Sequence, residues 1–318
     1  MKGRIVARQA RIDDLLQDLR QRLDPRAKSL IVTIYGDSIL PHGGTVWLGS
    51  LIRLVAPLGL NERMVRTAVF RLTRDDWLTS QAIGRRSYYG FSPSGRLRFE
   101  EAHRRIYAAP GAPWDGVWQL VLISPEGPAA NREGLRRELL WRGFGQIAPG
   151  LFAHPAVEPE ALRAFLREQG EQAGWLMMQA GADLPASREG LRRLVARSWD
   201  LARLEHDYRR FLDHFRPIWR ALETGGEPAP QTAFLIRTLL IHDYRRVLLR
   251  DPLLPDELLP AHWPGSAARI LCRNLYRRTQ VPAERHIMAV LETADGPLPA
   301  VGQAFRERFA APDAAQAP

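Results

Sequence analysis

The sequence predicts an α+β, multidomain protein. It comprises an N-terminal winged helix–turn–helix, a middle ferredoxin-like βαββαβ domain and a C-terminal all-α domain. Three observations predict it. The charge is lopsided: residues 1–106 carry 19 Lys and Arg against 10 Asp and Glu, whereas the remainder carries 26 against 25. The stretch from Trp114 to Ala180 alternates short apolar runs with helical periodicity, and nearly everything after Ser187 keeps a helical period. The 318 residues suit two or three domains. The predicted division is an N-terminal arm over 1–24, a DNA-binding domain over 25–107, a middle domain over 114–181, a helical domain over 187–295 and a loosely ordered tail over 296–318. The Pro/Gly-rich run Ala108–Pro113 is the first linker, and weaker breaks fall at Ala182–Ser187 and Thr224–Pro230.

The arm places Leu15, Leu16, Leu19 and Leu23 at helical spacing. Helix one runs Ser29–Leu40 and Pro41–Gly44 ends it; Thr45–Trp47 is a short strand and Leu48–Leu54 helix two. Pro57-Leu58-Gly59 turns the chain, and Asn61 caps helix three, with Glu62 in the first turn where the helix dipole favours an anion. That helix extends to about Asp75. Trp77–Ile83 and Ser87–Phe91 form a hairpin tipped by Gly84-Arg85-Arg86, and Ser92 or Ser94 caps a helix through Ile106.

On a helical wheel, Val65, Ala68, Val69 and Leu72 of helix three share one face, and Arg63, Arg66, Thr67, Phe70 and Arg74 share the opposite one. A recognition helix needs such a division: an apolar face docks on its neighbours while the other face enters the major groove. Arginine reads guanine edges bidentately, and Thr67 reaches bases or phosphate. Phe70 either faces DNA or packs on Tyr88. Arg85 and Arg86 reach the flanking backbone or minor groove, whereas the more peripheral Arg53 and Arg71 suit phosphates. A localised basic domain points to double-stranded DNA as partner.

The middle domain reads Val117–Ile123 strand, Asn131–Trp141 helix, Gly145–Ile147 and Leu151–His154 strands, Glu160–Gln169 helix and Trp175–Met178 strand. Helices then run Arg188–Arg197, Leu201–Leu222, Thr232–Leu249, Ser266–Tyr276 and Ala283–Leu291.

Enzymatic signatures are missing. No G-x-S-x-G elbow, H-E-x-x-H pair or phosphate loop occurs. The single cysteine, Cys272, excludes an internal disulfide and sits among Ile270, Leu271 and Leu275 as a buried structural thiol. No catalytic residue, metal or cofactor is expected. The opening residues lack an apolar signal-peptide core, and no stretch approaches the length of a membrane span, so a cytoplasmic protein without membrane partners is expected.

Several stretches closely resemble the PaaX family, repressors of phenylacetic acid degradation operons. They are "YGDSILPHGGTVWLGSLIRLV" and "ERMVRTAVFRLTRDDWL…IGRRSYYGFS" within Ser29–Gly95, "WDGVW" at Trp114–Trp118, "WRGFGQIAPGLFAHP" at Trp141–Pro155, "SWDL" at Ser198–Leu201, "FRPIW" at Phe215–Trp219, "LLIHDYRRVLLRDPLLPDELLPAHWPG" at Leu239–Gly265 and "LCRNLYRR" at Leu271–Arg278. The resemblance spans roughly residues 28–280. It implies a homodimeric repressor that binds a palindromic operator and releases it on binding phenylacetyl-coenzyme A. An acyl-coenzyme A needs cationic groups for phosphates and aromatic walls for its rings. The C-terminal helices offer Trp199, His206, Tyr208 and Arg209; His242, Tyr244, Arg245 and Arg246; Trp263; and Arg273, Tyr276 and Arg277. The alternative for His242–Arg246 is an ion-pair network locking helices together. The middle domain is also similar to small CRISPR-associated nucleases, which hold a metal with an aspartate at the end of the first strand. Here that end reads Leu122-Ile123-Ser124-Pro125, with Asp115 before the strand, so the module reads as structural and dimerising. An effector-independent DNA binder is the other alternative.

Overall fold

A computed structural model describes residues 2–107, 114–126, 128–170, 174–181, 184–223, 226–302, 305 and 308–309. The expected linker Ala108–Pro113 and the tail beyond Ala310 lie outside them. The chain packs as two compact units. The first comprises Met1–Ala109, Arg209–Leu249 and Ala267–Pro318; the second comprises Pro110–Tyr208 and Arg250–Ser266.

The first unit opens on α1 (Lys2–Leu23), which buries Ile12, Leu16, Leu19 and Leu23. It is a docked element: Gln9 donates to Thr232 Oγ1 at 2.7 Å and Arg20 to the carbonyl of Pro57 at 2.9 Å. The expected helix one is shorter and then changes character. α2 (Ala27–Ile34) passes into a π turn over Tyr35–Ile39 and a 3₁₀ turn over Leu40–His42. Two contacts favour the wide turn. A side chain on Gly36 would overlap the Phe99 ring, and Asp37 is drawn inward to arginines described below.

β1 (Thr45–Trp47), α3 (Leu48–Val55), α4 (Glu62–Arg74), β2 (Leu78–Ile83), β3 (Arg86–Phe91) and α5 (Pro93–Tyr107) follow, close to the predicted bounds. The strands form an antiparallel sheet ordered β1-β3-β2. Asn61 caps α4 by accepting from the Met64 N–H at 2.9 Å, and Ser92 accepts from the Gly95 N–H at 2.9 Å at the start of α5.

In the second unit, β4 (Val117–Ile123), α6 (Ala129–Trp141), β5 (Gly145–Ala148), β6 (Leu151–His154), α7 (Pro159–Glu168) and β7 (Trp175–Gly181) build an antiparallel sheet ordered β5-β6-β4-β7. The alternation along β4 serves two cores. Val121 and Ile123 pack with Phe152, with Leu135 and Leu139 of α6, and with Leu162, Phe165 and Leu166 of α7. Trp118 on the other face packs with Ala153, Trp199, Leu254, Leu258 and Val195 of α8 (Leu184–Ser198).

The remaining helices are α9 (Leu201–Glu223), α10 (Pro230–Leu248) and α11 (Pro264–Val290). Three expectations change here. The C-terminal helices do not gather into a unit of their own: residues 209–249 and those from 267 onward pack with the N-terminal elements. The two helices expected at Ser266–Tyr276 and Ala283–Leu291 are one. Pro282 is buried, as are Ala283 and Ile287, and that packing outweighs the hydrogen bond a proline forfeits. The region is not all-α either. A hairpin of β8 (Glu292–Thr293) and β9 (Gly296–Pro297) follows α11, and it is anchored: Leu298 is buried, and the Pro299 carbonyl is 2.6 Å from His42 Nδ1. Cys272 is fully buried, and burial pushes its thiol well above the usual range, as expected of an inert structural cysteine. No helix among the described residues is long and apolar enough to cross a membrane.

Candidate nucleic-acid interface

α4 is divided as its wheel requires. Val65, Ala68, Val69 and Leu72 are buried, and the helix packs on α2 and β2. Arg63, Arg66, Thr67, Phe70, Arg71 and Arg74 are all exposed. Phe70 does not pack on Tyr88; it is 68% exposed, whereas Tyr88 is buried. The open ring stands on the same exposed face as four arginines. Arg66 pairs with Glu62 one turn back at 2.7 Å and Arg74 with Asp75 at 3.1 Å, both in solvent, where such pairs are weak. Lys28 first, and then Arg74, holds the Asp75 carboxyl below the usual range. Among the described residues, Arg63, Arg71 and Arg85 have no carboxylate within ion-pair reach.

The β2–β3 hairpin projects Arg85 and Arg86 at its exposed tip. The Arg86 guanidinium lies 4.1 Å from the centre of the Trp47 ring, and that of Arg53, from α3, lies 5.1 Å from it. Trp47 was missed in the sequence. Its signal is Gly49 two residues on, where a side chain would come within 2.4 Å of the ring. Glu292 of β8 was missed as well. It accepts from Arg53 at 2.5 Å and from Arg86 at 3.0 Å. Those bonds, Arg53's first, hold its carboxyl below the usual range. All nine residues expected to contact DNA are therefore exposed, and all belong to α3, α4 or the hairpin.

The effector candidates divide between the two units. Trp199, His206 and Trp263 belong to the second unit; Arg209, His242, Tyr244, Arg245, Arg246, Arg273 and Tyr276 belong to the first. Trp199 donates to the Gly143 carbonyl at 2.8 Å, and Trp263 stands edge-on to Tyr208 at 6.1 Å. His206, Arg209 and Arg246 are exposed and Arg273 half-buried. The others turn inward. Tyr244 is buried against Phe211. Thr33 donates to the Ser29 carbonyl at 3.1 Å and lies 3.0 Å from both Arg245 Nη1 and His242 Nδ1. It accepts from Arg245. Burial, then Arg245 and Arg246, lowers the His242 pKa to about 4 and keeps that ring neutral.

Tyr276 is fully buried and donates to Asp37 at 3.1 Å. Asp37 also accepts from Tyr107 at 2.6 Å and pairs with Arg237 at 2.9 Å and Arg308 at 3.2 Å. Arg237 continues to Glu284 at 2.5 Å, and Glu284 to His42 at 2.8 Å. Burial alone would raise the Asp37 pKa; the two arginines and two phenols outweigh it and hold the carboxylate ionised. Two surface cavities of about 320 and 330 Å³ occur, one beside Leu122, Trp175 and Leu176, the other between α1, Leu58 and α10, and no effector candidate lines either.

Comparison with known proteins adds three family matches. Residues 26–95 match the PaaX-like protein family, 111–190 the PaaX protein central Cas2-like domain, and 199–289 the PaaX-like protein C-terminal domain. The chain is 40% identical over 301 residues to the transcriptional repressor PaaX of Escherichia coli (strain K12), covering 94% of this chain and 95% of that one. Among solved structures, the uncharacterized protein Rv0674 from Mycobacterium tuberculosis matches with a TM-score of 0.47 at 23% identity, over 74% of this chain and 90% of that chain.

Proposed function

Because this chain belongs to the PaaX family, we propose that it is a transcriptional repressor of phenylacetate degradation genes, a regulator and not an enzyme. It grips operator DNA as a dimer and lets go when phenylacetyl-coenzyme A binds. In this reading the N-terminal elements are a winged helix–turn–helix. α4 is the recognition helix and the β2–β3 hairpin the wing, which fits a sheet ordered β1-β3-β2 whose hairpin follows α2, α3 and α4. The carrying observation is the division of α4: one face fully buried, the other presenting Arg63, Arg66, Thr67, Phe70, Arg71 and Arg74 to solvent. Arg63, Arg66 and Thr67 read bases, and Arg53, Arg71, Arg74, Arg85 and Arg86 hold the backbone.

The central module is read as ferredoxin-like, which its order β5-β6-β4-β7 supports, and as the dimerising part. Leu122 and Leu176, paired across β4 and β7, are apolar and exposed on its sheet. The inward-facing His242, Tyr244, Arg245 and Tyr276 are assigned to structure. In the first unit Arg209, Arg246 and Arg273 remain candidates for coenzyme A phosphates, as does His206 in the second.

Selection of duplexes from a random pool supplies the operator for a binding assay. Arg66→Ala should weaken binding about 5- to 160-fold, the cost of one bidentate base contact, with the thermal midpoint unmoved. Undiminished binding removes Arg66 from the reading face. Adding phenylacetyl-coenzyme A should release the duplex where phenylacetate or coenzyme A alone does not. If none of the three shifts the complex, the effector assignment is wrong.

A further inference from the structure

Arg53, Trp47 and Arg86 come from α3, β1 and the wing, yet they meet at one point. Two guanidinium groups flank a single indole ring, 5.1 and 4.1 Å from its centre. The ring is pinned from below, because only a residue without a side chain fits at Gly49. A stacked guanidinium keeps its N–H fork directed outward while its charge is shared with the ring. Two such forks around one platform suit an anion with oxygens to spare for both.

An anion from the protein itself already sits there. Glu292 gives one carboxylate oxygen to Arg53 and the other to Arg86. Its hairpin is fastened to the same corner: the Glu292 N–H donates to Ser50 Oγ at 3.2 Å, and Ser50 donates to the Trp47 carbonyl at 2.7 Å. Arg53 also reaches the Val290 carbonyl at 3.4 Å. The three charged side chains are 48%, 50% and 37% exposed, so water competes for both ion pairs. An exposed pair costs little to break, and a phosphate can displace it.

We propose that Arg53, Trp47 and Arg86 form one seat for a DNA backbone phosphate, and that Glu292 fills this seat in the free protein. The proposal rests on the DNA-binding reading above. The hairpin carboxylate is an internal competitor: DNA gains two phosphate contacts at the wing only by expelling it, and anything that presses β8 onto β1 weakens the grip without touching α4.

The test measures affinity for a duplex of mixed sequence by fluorescence anisotropy over a salt series, because phosphate contacts do not depend on sequence. Glu292→Gln keeps the side chain's shape and removes its charge. Asp295→Asn, an exposed acid in the same hairpin with its backbone N–H bonded to Thr293, removes the same charge away from the seat. Glu292→Gln should tighten binding about three- to tenfold beyond Asp295→Asn, and that surplus should shrink when Arg86→Gln is added and vanish when Arg53→Gln is added as well. Equal gains from both substitutions mean only a longer-range field and overturn the proposal. Weaker binding by Glu292→Gln means the carboxylate aims the arginines, which also overturns it. A wild-type protein that binds no duplex even at low salt sinks the DNA-binding reading itself.

Discussion

Arg66 and Arg237 each hold a glutamate at short range, yet the two pairs answer to different physics. Arg66 and Glu62 are 59% and 60% exposed, one turn apart on α4. Arg237 and Glu284 are 0% and 16% exposed and belong to different helices. Water screens the first pair, so losing either member changes stability by tenths of a kcal/mol. The second pair has no water to fall back on. Its desolvation is offset because Asp37, Glu284 and Ser38 surround one guanidinium, so removing that group leaves Asp37 with Arg308 as its one cation and Glu284 with His42 alone. Arginine content therefore says little about role here. The exposed set is expendable to the fold and available to a partner; the buried set holds α2, α10 and α11 together.

The largest expected effect tests that contrast. Arg237→Met should cost about 3–5 kcal/mol in chemical denaturation, whereas Arg63→Ala should stay within about 0.5 kcal/mol. Similar costs for the two would erase the distinction between interior and surface.

Acid should sharpen it next. Folded His242 stays neutral down to about pH 4, whereas the unfolded chain takes up a proton near its ordinary pKa of about 6.5. The unfolded state thus binds more protons in between. Stability is full above about pH 6.5 and falls by up to about 3 kcal/mol as pH drops toward 4. Half-buried His103, lowered to about 4 by burial and then by Arg308, adds in the same direction. Denaturation series at several pH values should show His242→Gln flattening part of this slope. An unchanged slope would mean His242 does not carry it.

The smallest effect belongs to the exposed side. Asn61→Ala removes the α4 cap and should cost about 1 kcal/mol by denaturation, weakening DNA binding only through the frayed first turn. A loss as large as that of Arg237→Met would show α4 to be structurally central in its own right.

What was legible in the sequence follows the same division. α4 is governed by local rules: an Asn cap, a Glu in the first turn and an apolar stripe at helical spacing. Its bounds and exposed face could be read from thirteen consecutive residues. The β2–β3 hairpin and the strands and helices of the central module are similarly local. The Asp37 network is not. It joins positions 37, 237, 284 and 308, and nothing adjacent to Asp37 announces partners two hundred residues away. For the same reason the sequence leaves His242 open between pocket and helix tie and offers Tyr276 as a pocket residue, while both are buried and bonded internally. Pro282 misled in the opposite sense, since a local helix breaker was overruled by packing. Glu292 left no trace, because a two-residue strand has no period to detect.

The unbroken course of α11 has a mechanical consequence. From Tyr276 to Val290 the helix rises about 21 Å, short enough to move as a stiff bar. Its Tyr276 and Glu284 are tied into the buried Asp37 network, and its C-terminal end leads into the strand that carries Glu292. Had the chain broken at Pro282, slack there would absorb any displacement. As built, the one helix joins Tyr276 and Glu284 to the strand whose carboxylate meets the arginines flanking Trp47.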